Sequence, residues 1–161
     1  MLKWRSAKPP LPESVVRGAE LILGYVLPSS YRSLVQQWPS GHPDRSDFPV
    51  QGGGRRGSWI SCVGVLLSLD PRHTDNVFEC LKNLAIDDQL PDGLLPVSDD
   101  GGGDLICLDY RHNSSAPEVV YWAHELSGEE AVVPIAPSFD AFLELLEREG
   151  IDPDLVDEHD G

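Results

Sequence analysis

Positive charge is scarce in this sequence of 161 residues: 12 Lys and Arg stand against 27 Asp and Glu, a formal net charge of -15. That balance argues against binding nucleic acid through a broad basic surface, because such binding needs cations to neutralise phosphates. Cysteine is scarce too. Cys62, Cys80 and Cys107 form no CxxC pair and no even framework, which argues against a disulfide scaffold or a thiolate zinc site and points to buried thiols in a reducing, cytoplasmic compartment. Long apolar runs are missing: the longest reach about five or six residues, against the roughly twenty that span a bilayer. No basic segment followed by an apolar one opens the chain, so no secretory signal is expected.

What is present suits a single globular domain. Hydrophobic residues make up 40% and charged residues 24%, and a chain of this length buries roughly 70% of its unfolded surface without staples. The charge is unevenly spread. Residues 1–60 hold eight Lys/Arg and four Asp/Glu, a net +4, whereas residues 61–161 hold four and twenty-three, a net -19. Such an excess is either a solubility device or an acidic face that steers a basic partner. Part of it is terminal: residues 151–161 carry five acids and no Lys or Arg. The expected organisation is a basic, Pro-rich arm over residues 1–12, a folded domain over 13–150 and an acidic tail over 151–161.

Apolar spacing predicts the elements. Val15, Ala19, Ile22 and Leu23 recur at helical intervals, with Gly24 as a stop. Tyr31, Leu34, Val35 and Trp38 do so after a serine suited to capping, and Pro39 with Gly41 ends that helix. Phe48-Pro49-Val50 reads as an edge strand, and Trp59–Leu69 has room for another. Thr74 is placed to cap a middle helix in which Val77, Leu81, Leu84 and Ala85 share a face. Short strands are then expected at Leu94–Val97, Leu105–Tyr110, Val119–Trp122 and Ala131–Ile135, separated by turn signals. Phe139, Phe142, Leu143 and Leu146 define a last helix, with Gly150 as its stop. The plan is α+β: a largely antiparallel sheet bracketed by two short N-terminal helices, a middle helix and a C-terminal helix.

Few residues suggest chemistry. The Gly52-Gly53-Gly54-Arg55-Arg56-Gly57 stretch lacks the Gly-Lys-Ser/Thr ending of a phosphate loop. Asp99-Asp100-Gly101-Gly102-Gly103-Asp104 lacks the ligand spacing of a calcium loop, and reads as a tight turn in which Asp side chains accept backbone N–H groups. Asp109, His112 and His124 could converge on a metal if their strands pair, and with Asp104 they define the enzymatic alternative, a metal-dependent hydrolase. No nucleophile elbow or His/Cys cluster assembles an enzyme. Tyr121 and Trp122 must point to opposite faces of a strand. One of them is therefore expected to be exposed, beside His124, Glu125, Glu129 and Glu130.

Several segments, in order, carry a resemblance. They are Leu23-Gly24-x-x-Leu27-Pro28-x-x-Tyr31, then Gly93-Leu94-Leu95-Pro96-Val97-Ser98-Asp99-x-Gly101-Gly102-Gly103-Asp104, then Val119-Val120-Tyr121-Trp122-x-His124-Glu125, and lastly Ile135-Ala136-Pro137-Ser138-Phe139-x-x-Phe142-Leu143. Together they cover roughly residues 13–147, and the chain resembles the SUKH superfamily, which includes a yeast cell-wall-synthesis regulator domain and many bacterial immunity proteins. The resemblance implies an α+β domain that binds and neutralises a cognate protein toxin, with no catalytic residues, cofactor or metal to carry over. It leaves a scaffold or regulatory interaction module as the alternative. A basic toxin such as a nuclease is the expected partner. The expected contact residues are Asp87, Asp88, Asp92, Asp99, Asp100, Glu125, Glu129 and Glu130, with Tyr121 or Trp122 as an apolar anchor. Neither direct nucleic-acid contact nor membrane association is expected, and the oligomeric state stays open.

Overall fold

The computed structural model describes residues 2–52, 57–86 and 89–149. A four-stranded antiparallel meander forms its centre: β5 (Leu94–Asp99), β6 (Leu105–Asp109), β7 (Glu118–Trp122) and β8 (Val132–Ala136), adjacent in that order. Leu105 lies opposite Trp122, Ile106 opposite Tyr121 and Asp109 opposite Glu118. A separate hairpin pairs β3 (Asp47–Gln51) with β4 (Ser58–Cys62), and a two-residue pairing joins β1 (Trp4–Arg5) to β2 (His42–Pro43). The helices are α1 (Glu13–Leu23), α2 (Ser29–Gln37), α3 (Val77–Ile86) and α4 (Phe139–Glu149). Among the described residues, no helix is long and apolar enough to cross a membrane. The α+β plan and every expected element are present.

Alternation along β6 divides the interior in two. Ile106 and Leu108 point into the larger cluster with Val16, Tyr31, Phe48, Tyr121 and Phe142. Leu105 and Cys107 point into a smaller one with Leu94, Val120, Trp122 and Ala131. All five β6 residues are buried, as the apolar residues on both of its faces predict. Cys80 and Leu84 of α3, with Leu90 and Leu126, close the smaller cluster. An aromatic chain ties the larger one together. Phe48 meets Phe142 edge-on at 5.4 Å and Tyr121 at 6.4 Å, and Tyr31 meets Phe139 at 5.3 Å.

Three helix readings are corrected. On α1 Val16 and Ala19 are buried and Val15 and Leu23 pack partly against the larger core, but Ile22 is 76% exposed; the expected stripe therefore gains Val16 and loses Ile22. The first position of α2 follows Pro28, whose fixed φ starts the helix without a side-chain cap, so neither Ser29 nor Ser30 is its cap. Asn76 rather than Thr74 caps α3: its Oδ1 accepts the Glu79 N–H at 2.9 Å. The expected stop of α1 holds, with Gly24 left-handed at φ 74° and its N–H bonded to Glu20.

Trp4 and Leu2, in the Pro-rich opening, pack against the larger core, and the Leu2 N–H donates to Glu147 of α4 at 2.8 Å. The expected tail, residues 151–161, lies outside the described residues, as does the Arg55-Arg56 part of the glycine stretch.

Candidate interaction site at the acidic end of the sheet

The β5–β6 turn is built by carboxylates capping backbone. Asp100 Oδ1 accepts the N–H groups of Gly102 at 2.8 Å and Asp104 at 3.1 Å. Asp99 Oδ1 accepts the Val65 N–H at 3.0 Å, and its backbone oxygen accepts the Gly64 N–H at 2.7 Å. Gly103 sits at φ 100°, and a Cβ there would lie 3.0 Å from the His124 ring. Glycine is therefore required both for the backbone conformation and for the imidazole's seat. The reading of this loop as a capped tight turn holds.

Behind the turn, Tyr121 is the focus of a charged knot. Its hydroxyl lies 2.8 Å from Asp100 Oδ2 and in short contact with Asp104 Oδ2, and Ser61 Oγ is 3.5 Å away. A phenol carries one proton, so one hydroxyl serves two carboxylates. Asp104 Oδ1 also accepts the His124 backbone N–H at 2.9 Å and lies 2.5 Å from its ring Nδ1. Burial acts to raise the Asp104 carboxyl, but the Tyr121 hydroxyl and the His124 amide and ring outweigh it and hold it below its ordinary value. Burial, joined by Asp104, pushes the Tyr121 phenol up. Burial also raises the Asp99 carboxyl, against the Val65 amide.

The expected contact residues therefore separate. Asp99 and Asp100 are half-buried at one end of the sheet, and Glu125 is exposed close by in sequence to His124. Asp92 is exposed before β5, at the opposite end, about 20 Å away along a six-residue strand. Glu129 and Glu130 are exposed on a 3₁₀ turn, Gly128–Ala131, and Glu129 reaches Arg111 at 3.6 Å. Asp87 and Asp88 lie outside the described residues. The expected exposed aromatic is corrected. Tyr121 is 1% exposed and Trp122 2%, because both faces of β7 are covered, so neither presents an anchor at the surface.

The metal grouping is corrected as well. His124 pairs with Asp104 before β6, whereas Asp109 ends β6 and His112 follows it, so Asp109, His112 and His124 do not converge. Among the described residues, Asp109, His112 and Glu118 have ligand atoms within 4.8 Å of one another. The Arg111 guanidinium already grips both Asp109 oxygens at 3.0 Å. Burial acts to raise Asp109, and the Arg111 side chain and amide outweigh it and depress it. A fixed cation thus holds the place where a metal would bind Asp109.

The sequence reading missed one constellation. Ser68 Oγ and His73 Nδ1 are 2.8 Å apart, and His73 Nε2 is 3.7 Å from Asp70 Oδ2. The residue types are those of a hydrolase triad, and the spacing Ser68, Asp70, His73 was there to find. Ser68 is fully buried, and its Oγ also accepts the Asp70 N–H at 3.0 Å. Ser68, the residue that would act as nucleophile, is thus closed off from a substrate.

No curated protein matches this sequence. A match to the model of the SMI1 / KNR4 family (SUKH-1) runs over residues 10–145, from the residue before Leu11 of the core to the last turns of α4, and the chain belongs to that family.

Proposed function

We propose that this protein is a non-enzymatic immunity protein that binds and neutralises a cognate toxin domain in the cytoplasm. Membership of a family of immunity-like and regulator-like domains supports a protein-binding role. The observation that carries the reading is the charge: residues 61–161 are net -19. Four of their exposed members, Asp92, Glu125, Glu129 and Glu130, lie on loops and turns around the sheet. A toxin that acts on nucleic acid must be basic to hold phosphates. An acidic binder covers such a surface with complementary charge and associates fast at low salt.

The test is pull-down of the partner from the native host, followed by its co-expression with this protein. Protection of the host and an isolable complex are expected. Charge reversal at Glu125 and Glu130, which are surface side chains, should slow association, and added salt should do the same to the unaltered protein. Continued killing with no complex below micromolar concentration would overturn the reading.

A further inference from the structure

Among the described strands, one edge is left open. Residues 64–67 cover the outer side of β5, where the Gly64 and Leu67 N–H groups donate to Asp99 and Val97 at 2.7 and 2.9 Å. β8 carries Pro134 and β3 carries Pro49, and proline leaves an edge without a donor. The β1–β2 pair is two residues long and contains Arg5 and Pro43. β4 has none of these devices. Ser58-Trp59-Ile60-Ser61-Cys62 holds no charge and no proline, its register with β3 is unbroken, and β3 is its one strand partner among the described residues. The Val63 N–H donates to Ser46 at 2.9 Å. Bonded pairs alternate along an antiparallel ladder, so Phe48–Ser61 and Val50–Trp59 carry its hydrogen bonds and Pro49–Ile60 is the unbonded pair between them. The N–H and C=O of Ile60 therefore point away from β3, and no group among the described residues bonds either. The Ile60 side chain is 62% exposed.

An outward row of backbone donors and acceptors selects an extended chain. Charge selects which one. Asp47 lies opposite Cys62, on the hairpin face that Ile60 shares, because side chains two residues apart point alike. The Asp100 turn closes the same end: its backbone oxygen lies 3.4 Å from Cys62 Sγ. Asp47 accepts from Ser46, and Asp100 from Gly102, Asp104 and Tyr121; among the described residues neither has a cationic partner. A second copy of the chain would bring another β4, which has no Lys or Arg, on a body of net charge -15. We propose that β4 takes up an extended segment of the partner protein as a third strand of its hairpin, with an apolar side chain beside Ile60 and a Lys or Arg two residues further, directed at Asp47 and Asp100. The inference rests on the protein-binding reading and gives it a contact surface made by backbone.

The probe is the peptide Thr-Val-Thr-Val-Thr-Lys-Thr, whose Val and Lys side chains share one face of a strand. Amide exchange followed by NMR reads the edge directly. In the free protein the Ile60 N–H should exchange fast although it lies in a strand, whereas the ladder slows those of Trp59 and Ser61. Saturating peptide should slow the Ile60 amide about ten-fold or more, as a new hydrogen bond does. The same peptide N-methylated at every residue cannot pair and should not bind, and the peptide with Glu for Lys should not bind either. Ile60→Pro removes the outward N–H, leaves the β3 ladder its bonds, and should weaken binding about ten-fold or more. If that variant does not fold, Asp47→Lys should weaken the Lys peptide by a similar factor of about ten. Ile22→Glu, on α1, should leave binding within about two-fold, as surface changes outside a contact do. Equal binding by the methylated peptide would mean that side chains alone attract it, and overturns the proposal. An Ile60 amide already slow in the free protein would overturn it too, in favour of a second copy if light scattering shows a dimer. With the partner in hand, a complex indifferent to Ile60→Pro and Asp47→Lys defeats the edge and leaves the immunity reading standing. Absence of any complex defeats the immunity reading, and the peptide alone then decides the edge.

Discussion

Tyr121 and Trp122 are consecutive in β7 and are buried in different cores. The phenol ring packs edge-on against Trp59 at 5.7 Å and sends its hydroxyl to Asp100 and Asp104. The indole fills the smaller cluster with Cys107 and Ala131. Removing each should therefore have a different signature. Trp122→Ala leaves a cavity and should cost about 3–5 kcal/mol at any pH where the protein folds. Tyr121→Phe keeps the ring and should cost about 1–3 kcal/mol at neutral pH, because buried carboxylates lose their donor. That cost should shrink with acid. The Tyr121 hydroxyl helps hold Asp104 below its ordinary value of 3.8, and this stabilisation exists above that value and is lost as pH falls below it. Urea unfolding at pH 7 and at about pH 3 checks both, and a pH-independent loss for Tyr121→Phe would contradict the network.

Tyr31 is the opposite case. It is fully buried, and its hydroxyl has no hydrogen-bond partner among the described residues. Burial pushes its phenol up, with Tyr110 adding to the effect. An unpaired buried hydroxyl is a net cost. Tyr31→Phe should therefore leave the melting temperature unchanged or raise it, by an amount on the order of 1 kcal/mol in stability. A clear destabilisation would show that the hydroxyl is satisfied in solution.

How much of this was legible varies by residue. Ile106 and Cys107 announced a sheet covered on both sides, because β6 is apolar at successive positions. Yet one of Tyr121 and Trp122 is expected from the sequence to be an exposed anchor, on the premise that the sheet has one wet face. Only the tertiary return of α3 and the 128–131 turn covers that face, and no local period encodes it. The same limit explains Ile22. Residues 15–23 contain more apolar positions than one stripe can bury, and that surplus was the available signal for the exposed Leu21 and Ile22. Which positions face in depends on where α2 lies. The Asp100 turn was legible because its chemistry is local: glycine for positive φ, carboxylate for nearby N–H groups. Its link to Tyr121, 21 residues away, was not.

The thiols should be inert in the folded state. Burial raises Cys107 well above its ordinary value, raises Cys80 to about 11, and raises Cys62 with help from Asp47 and Asp100. Thiolate is the reactive form. Ellman's reagent at pH 7.5 should therefore modify the native protein slowly and release three equivalents only on unfolding, Cys62, Cys80 and Cys107 all being free. A thiol reacting at the rate of a free cysteine would contradict this burial.

Stability should peak in mild acid. Between pH 7 and about 5, protons begin to relieve the self-repulsion of a chain of net charge -15. Lower down the sign reverses. The Arg32 guanidinium, 2.5 Å from Glu13, holds that carboxyl at about 2, below its ordinary 4.5. Arg72 holds Asp70 at about 2, and Asp104 and Asp109 are depressed as well. A depressed carboxylate adds stability that is complete above its unfolded value and lost as pH falls through its folded one. The Glu13 and Asp70 losses fall between about pH 4.5 and 2, and those of Asp104 and Asp109 fall below their ordinary 3.8. Asp99, which is raised, runs the other way and favours the fold once protonated. One such group against four leaves a net fall. The urea midpoint should therefore rise slightly from pH 7 to about 5 and drop steeply below about 4.5, and added salt should raise it at pH 7. Arg32→Met, which strips Glu13 and Glu20 of their partner, should lower the plateau and flatten the acid limb. A midpoint that climbs steadily down to pH 3 would show that self-repulsion outweighs all four ion-paired or hydrogen-bonded carboxylates.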